Sequence, residues 1–321
     1  MPHLDAGGLS ENWLFRAAGD LHWEAITRRL GVASHEIETA DRKRLYPMVI
    51  ALRARYGAPL AAVRENDVLT WSHVDVVPCG GACARGLLVA RVGELRFSVE
   101  LLTSFAQRKE DGSLGTALPA ARLGARWEVA VPERGFRLGG AREPAVDLAE
   151  LARAARRGQP MADGFCGPAL ATGRPPLDQV AYQPSPYADY NGVGLLYFAS
   201  YVTIAAGAER HMMHRRGWAS RAGAATDWAL ATSPVRRDLF FHANLPLGES
   251  IRTELLAVEE ELDADAALED RIVGAGGPTI KTRLRLRRAG AEQPDGAPGG
   301  ASLMADVVSR HAVLPVGGQR P

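Results

Sequence analysis

The residues from Tyr187 to Tyr201, Tyr-Ala-Asp-Tyr-Asn-Gly-Val-Gly-Leu-Leu-Tyr-Phe-Ala-Ser-Tyr, bring a polar, glycine-bearing turn straight into an apolar, aromatic helix. Backbone N–H groups in the first turn of a helix have no intrahelical acceptor and lie at the positive end of its dipole. They suit an oxygen that gathers negative charge, such as a thioester carbonyl or the enolate derived from it. The side chains of Asp189 and Asn191 offer the opposite outcome, because either can cap those same N–H groups and close the helix on itself. Asn191 is the candidate donor to the oxyanion. Tyr190, Gly192 and Gly194 would border the pocket, and Asp189 is the acid that could aim a water. Elsewhere, His22 beside Trp23, His73 within an apolar run, and Thr103-Ser104 late in another run are polar groups that could meet a substrate. Each is as readily a hydrogen-bonded core residue.

Other chemistry is missing. The chain has no G-x-S-x-G, no G-x-x-x-x-G-K-[ST], no G-x-G-x-x-G and no H-E-x-x-H. His211 and His214 end a helix without a third ligand at metal-binding spacing, and read as a basic C-terminus that complements the dipole. Cys79 and Cys83 are separated by Gly-Gly-Ala and read as structural thiols. With 38 Lys and Arg against 37 Asp and Glu, the formal charge of +1 gives no field that favours nucleic acid or an anionic membrane. The first residues lack a basic stretch followed by an apolar run, and no stretch is apolar for eighteen residues, so the expectation is a cytoplasmic protein that neither crosses nor binds a membrane.

The elements needed to position these residues follow from periodicity. A helix is expected from Ser10, its N-cap, to Gly31, and strands over 42–55, 67–77, 86–92 and 94–107. A connector rich in Ala, Arg, Gly and Pro covers about 133–186, with a short helix near 147–157. A second helix over 193–216 then precedes strands at 227–233, 238–247, 250–262, 279–288 and 302–313. Helix followed by antiparallel strands thus occurs twice. Trp13-Leu14 matches Tyr197-Phe198, and the 67–73 run matches 238–244, which suggests a duplicated unit divided at about 160/161. Residues 289–300 read as a flexible loop.

Taken together, Gly7-Gly-Leu-Ser-Glu-Asn-Trp-Leu-Phe15, Gly19-Asp-Leu-His-Trp23, Arg44-Leu-Tyr46 and the 189–201 segment resemble the leinamycin-type bifunctional acyltransferase/decarboxylases of polyketide biosynthesis, over nearly the whole chain. The resemblance implies an α+β double hot-dog: tandem units over 1–160 and 161–321, each a long helix wrapped by an antiparallel sheet, assembled as a homodimer. It implies decarboxylation of methylmalonyl-CoA and delivery of propionyl to an acyl carrier protein through an acyl-tyrosine, with no metal or organic cofactor beyond the CoA and phosphopantetheine of the substrates. Tyr46 looks like that tyrosine, with Tyr56 next. A phenol of pKa about 10 needs a base, and the enolate left by decarboxylation is basic enough to take its proton. Two other readings stay open: a hot-dog acyl-CoA or acyl-ACP thioesterase using Asp189, and a non-catalytic hot-dog protein that binds acyl carriers.

Overall fold

A computed structural model describes residues 4–5, 8–38, 43–78, 83–107, 147–157, 175–192, 194–218, 227–261, 278–290 and 303–314. A two-residue pair, β1 (Leu4–Asp5) and β2 (Gly8–Leu9), leads into α1 (Glu11–Leu30). Helix α1 has Glu11 in its first turn and Arg28 and Arg29 in its last, the charge order its dipole favours. It stops at Gly31, whose φ of 68° is left-handed and whose N–H returns to Thr27 and Arg28 carbonyls. Ser10 holds the N-cap position, but its side chain makes no capping bond. Leu14, Phe15, Ala18, His22, Ile26 and Leu30 form the buried stripe of α1, and each large apolar member contributes about 1.5–3 kcal/mol by leaving water.

Strands β3 (Leu45–Tyr56), β4 (Thr70–Pro78), β5 (Cys83–Val92) and β6 (Leu95–Gln107) follow, then α2 (Leu148–Arg156), β7 (Asp178–Tyr182), α3 (Phe198–Arg215), a single turn α4 (Trp228–Ala231), and β8 (Thr232–Phe241), β9 (Ile251–Glu261), β10 (Thr279–Arg288) and β11 (Leu303–Val313). Nine of these strands make one antiparallel sheet in the order β4-β5-β6-β3-β8-β11-β10-β9-β7. Read outwards from the central β3–β8 pair, each side runs first, last, third, second strand of its own unit. The two units are therefore topological copies that meet along β3 and β8, where Leu52 opposes Leu239 and Arg53 opposes Asp238. Both long helices lie on one face, over a core that holds Leu14, Phe15, Leu52, Phe97, Leu101, Val202, Met212, Leu239 and Leu284. The short helix α2 covers part of the other face at Ile50, Leu102, Phe240 and Val308.

Four expectations change. The second helix begins at Phe198 rather than at residue 193, because Gly194 takes a φ of 77° and its N–H bonds back to Asn191 O, a left-handed turn that no helix continues. Residues 228–231 are helical, not extended, since the Asp227 side chain accepts from Ala229 N and caps the turn. The 67–73 run leads into β4, whereas 238–244 begins inside β8, so these are not copies: the partner of β8 is β3. Among the described residues edge strand β7 has no counterpart in the first unit, and its short, polar sequence hid it. The proposed division at 160/161 lies outside the described residues, as does most of the 289–300 loop.

Candidate functional site

Helices α1 and α3 run antiparallel and side by side, so the leading end of each lies against the other. Asn12 Nδ2 donates to Thr203 Oγ1 at 2.6 Å. At Gly19 the backbone of α1 is so close to α3 that an added Cβ would sit 2.8 Å from the Phe198 ring and 2.9 Å from the Tyr197 hydroxyl. Arg16 stacks its guanidinium over the Tyr197 ring, 5.0 Å from the centroid, and donates to Ala188 O. The glycine in the Gly19-Asp-Leu-His-Trp23 run thus admits the head of α3.

The segment before α3 is a pinned turn. Tyr190 and Leu196 form an isolated antiparallel bridge, Asn191 N donates to Leu195 O, and Leu195 N returns a bond to Asn191 Oδ1 at 3.0 Å. Asn244, just beyond β8, clamps Leu196 from the other side, its Oδ1 accepting from Leu196 N and its Nδ2 donating to Leu196 O. Asp189 is buried, and its Oδ2 accepts from Ser185 N and the Tyr182 hydroxyl. The Tyr190 hydroxyl donates to Pro246 O, tying the turn to the loop after β8. Gly192 and Gly194 sit exposed at the tip, with open space where a Cβ would stand. They lie six and four residues ahead of the helix, not in its first turn as expected; within that first turn the N–H groups of Phe198 and Ala199 make no hydrogen bond among the described residues.

Tyr46 opens β3, opposite Ala106 of β6. Leu45 packs with Ile26 and Leu30 of α1, so strand alternation turns Tyr46 to the face away from α1, where the Arg44 guanidinium lies 5.3 Å from its ring centroid. Ser104 shares that outer face, buried beside Cys83 on the neighbouring strand. Thr103 points inward and shares a 2.9 Å hydrogen bond with His22 Nε2, so two candidates from distant parts of the sequence meet in the core. Burial lowers the His22 pKa to about 4 and keeps the ring neutral. Its Nδ1 has no partner and rests on Gly86, the residue whose missing side chain makes room for the ring. His73 lies on β4, and its side chain is outside the described residues, as is Cys79.

Sequence reasoning missed the other junction. Glu11, in the first turn of α1, accepts from the Tyr56 hydroxyl and from Arg237 Nε and Nη2. Arg237 also reaches Ser309 Oγ and Glu209, and Glu209 accepts from Thr282 and pairs with His311. Burial works against the Glu209 carboxylate, yet His311 and Arg237 outweigh it and hold its pKa near 2. Burial and Glu11 push the Tyr56 hydroxyl well above its ordinary pKa, the wrong direction for a nucleophile. No spacing rule connects residues 11, 56, 209, 237 and 311; only the β3–β8 seam does.

No family model and no curated protein matches the chain. Solved structures do match its fold. A Lactobacillus plantarum protein assigned as an oleoyl thioesterase aligns over 98% of this chain and 93% of its own, with a TM-score of 0.58 at 13% identity. The 12:0-ACP thioesterase from Umbellularia californica aligns over 98% and 94%, with a TM-score of 0.53 at 10% identity. An acyl-ACP thioesterase from Bacteroides thetaiotaomicron aligns over 96% and 93%, with a TM-score of 0.50 at 7% identity. The chain is a double hot-dog. Among its described residues no helix is long and apolar enough to cross a membrane, and no group of three His, Cys, Asp or Glu side chains is placed to hold a metal ion.

Proposed function

We propose that the double hot-dog turns over an acyl thioester carried by CoA or an acyl carrier protein, and that hydrolysis is the reaction. The observation that carries this reading is the head of α3. A turn fixed by Asn191, Asn244 and Asp189 leads into α3, whose Phe198 and Ala199 N–H groups make no hydrogen bond among the described residues, an arrangement suited to a carbonyl oxygen that gains charge. The full-length likeness to thioesterase structures supports the same substrate class.

A second reading has its own observation. Tyr46 stands half-buried at the start of β3 with a guanidinium over its ring, a setting compatible with the acyl-tyrosine that the family resemblance implies. In that reading methylmalonyl-CoA loses carbon dioxide, propionyl passes through Tyr46 to a carrier thiol, and the enzyme works as a homodimer. One experiment separates the two. The protein is mixed with a chain-length series of acyl-CoAs and with methylmalonyl-CoA, followed by free-thiol release and by intact-protein mass spectrometry. Thiol release with free acid and no protein adduct supports hydrolysis. A propionyl adduct that disappears in Tyr46→Phe supports transfer, and neither product would leave a carrier-binding protein.

A further inference from the structure

Strands of the second unit end together at the head of α3. Register pairs Tyr182 of β7 with Ile251 of β9, and Ile251 with Arg288 of β10, so these three form the last row of the sheet at that end. Ile251 is buried in the core beneath the helices, and Arg288 directly opposite it shares that helix-bearing face. At this end lies an open cleft of about 460 Å³, lined by Gly248, Glu249, Ser250, Arg288, Ala289 and Gly290. The loop that supplies its first three residues is the one that holds the turn before α3, through Asn244 on Leu196 and Pro246 O on the Tyr190 hydroxyl. Around Gly248 and Gly290 the cleft stays open, with no atom within 4 Å of where a Cβ would stand.

The polar groups of the cleft are not all used. Arg288 Nη2 donates to Glu249 Oε1, and the Ser250 hydroxyl donates to Gln183 Oε1 at 2.5 Å. Glu249 Oε2 is buried and has no hydrogen bond among the described residues. Native proteins pair their buried polar atoms, and a carboxylate oxygen is a strong acceptor, so this one calls for a donor from outside the chain. Charge decides what kind of donor. Arg288 and Glu249 neutralise one another, which leaves no surplus positive charge for a phosphate and no surplus negative charge for an ammonium group. A neutral chain that carries both donors and acceptors fits, and the volume is that of a small-molecule site. Resting on the acyl-thioester reading above, we propose that this cleft holds the amide-bearing pantetheine arm through which CoA and an acyl carrier protein alike present the thioester. An N–H of the arm donates to Glu249 Oε2. A carbonyl or hydroxyl oxygen of the arm accepts from Arg288, whose bond to Glu249 uses one of its five N–H donors.

The test measures binding apart from turnover. The full chain is titrated calorimetrically with pantetheine, with CoA and with a holo-acyl carrier protein, and thiol release from the three octanoyl thioesters is followed in parallel. Glu249→Ala should raise Kd for all three about tenfold, the loss of one charge-assisted hydrogen bond, and should raise KM with little change in kcat. Ala289→Phe, which adds bulk to a wall of the cleft and leaves Glu249 in place, should weaken the same three ligands. Glu249→Ala should melt at or above the parent temperature, because its unpaired buried oxygen goes with it. A side chain that served only to hold Arg288 would instead lower the melting temperature and leave Kd unchanged. Kd values within about twofold of the parent in both variants, a loss confined to CoA, or no binding of any of the three by the parent at millimolar concentration would overturn the assignment. Absence of thiol release by the parent, with these binding losses intact, would overturn hydrolysis and leave the cleft standing.

Discussion

Gly19 shows how one missing atom can set the packing of two helices. A methyl group there would meet the Phe198 ring and the Tyr197 hydroxyl at 2.8–2.9 Å, and the head of α3 would have to move. Gly19→Ala gains helix propensity at an interior position, roughly 1 kcal/mol, but the overpacking costs about 1–3 kcal/mol. The expected net result in denaturant unfolding is a loss of stability, accompanied by a fall in kcat as the Phe198 N–H groups shift. Asn191 and Asn244 act on the same turn by a different route. Asn244 makes two bonds to the backbone of Leu196, and Asn191 Oδ1 receives one from Leu195. Asn244→Ala should therefore cost about 2 kcal/mol, measured by equilibrium unfolding. An Asn191→Ala protein that unfolds normally but has lost turnover would instead return to Asn191 the oxyanion role suggested by its sequence context.

At the scale of elements, β3, β8 and the two long helices are joined by buried charge, and its pH dependence can be worked out. Glu209 has a folded pKa near 2, below the carboxylate value of 4.5. Its stabilisation is fully present above the unfolded pKa and is lost as pH falls from about 4.5 towards 2. His22 acts in a higher window. Its folded pKa of about 4 lies below 6.5, so the unfolded chain takes up a proton that the folded one refuses, and stability falls as pH drops from about 6.5 to about 4. A shift of that size corresponds to on the order of 3 kcal/mol. Melting temperature against pH should thus decline in two stages. His22→Gln should flatten the upper stage and Glu209→Gln the lower. Replacing Arg237 by Met leaves Glu209 buried and Glu11 half-buried without their common cation, and should cost about 3 kcal/mol in equilibrium unfolding.

At the scale of the molecule, the two units share one sheet and one core, so neither hides its first strand alone. Chains divided anywhere between residues 157 and 175 and expressed separately should fail to fold, because each would expose the apolar and charged edge that β3 or β8 now covers. Expressed together, they should recover the native circular dichroism spectrum and melt as one unit. Independent folding of either half would mean that the β3–β8 seam contributes far less than its register and burial imply. Across the same seam, Arg237 of β8 reaches Glu11 at the head of α1 and Glu209 of α3.

Local rules carried the sequence a long way. The caps and apolar stripe of α1, the alternation of the strands, and the helix-then-strands order in each half all depend on neighbours within a few residues, and they pointed to tandem antiparallel units. The turn at Asp189–Gly194 was legible for the same reason, through its glycines and side-chain acceptors. What the sequence could not reveal is which distant residues face each other. Tyr46 and Thr103 both sit on strands of the first unit, but the pleat sends one outward and the other onto His22. Glu11 and Arg237 are 226 residues apart and touch because antiparallel pairing of β3 with β8 lays one unit against the other. The Gly19-Asp-Leu-His-Trp23 run was visible in the sequence, but that its glycine admits the head of α3 was not. Short-range propensity is written along the chain; the meeting of groups across a shared sheet is decided by long-range packing, and so is the chemistry that depends on it.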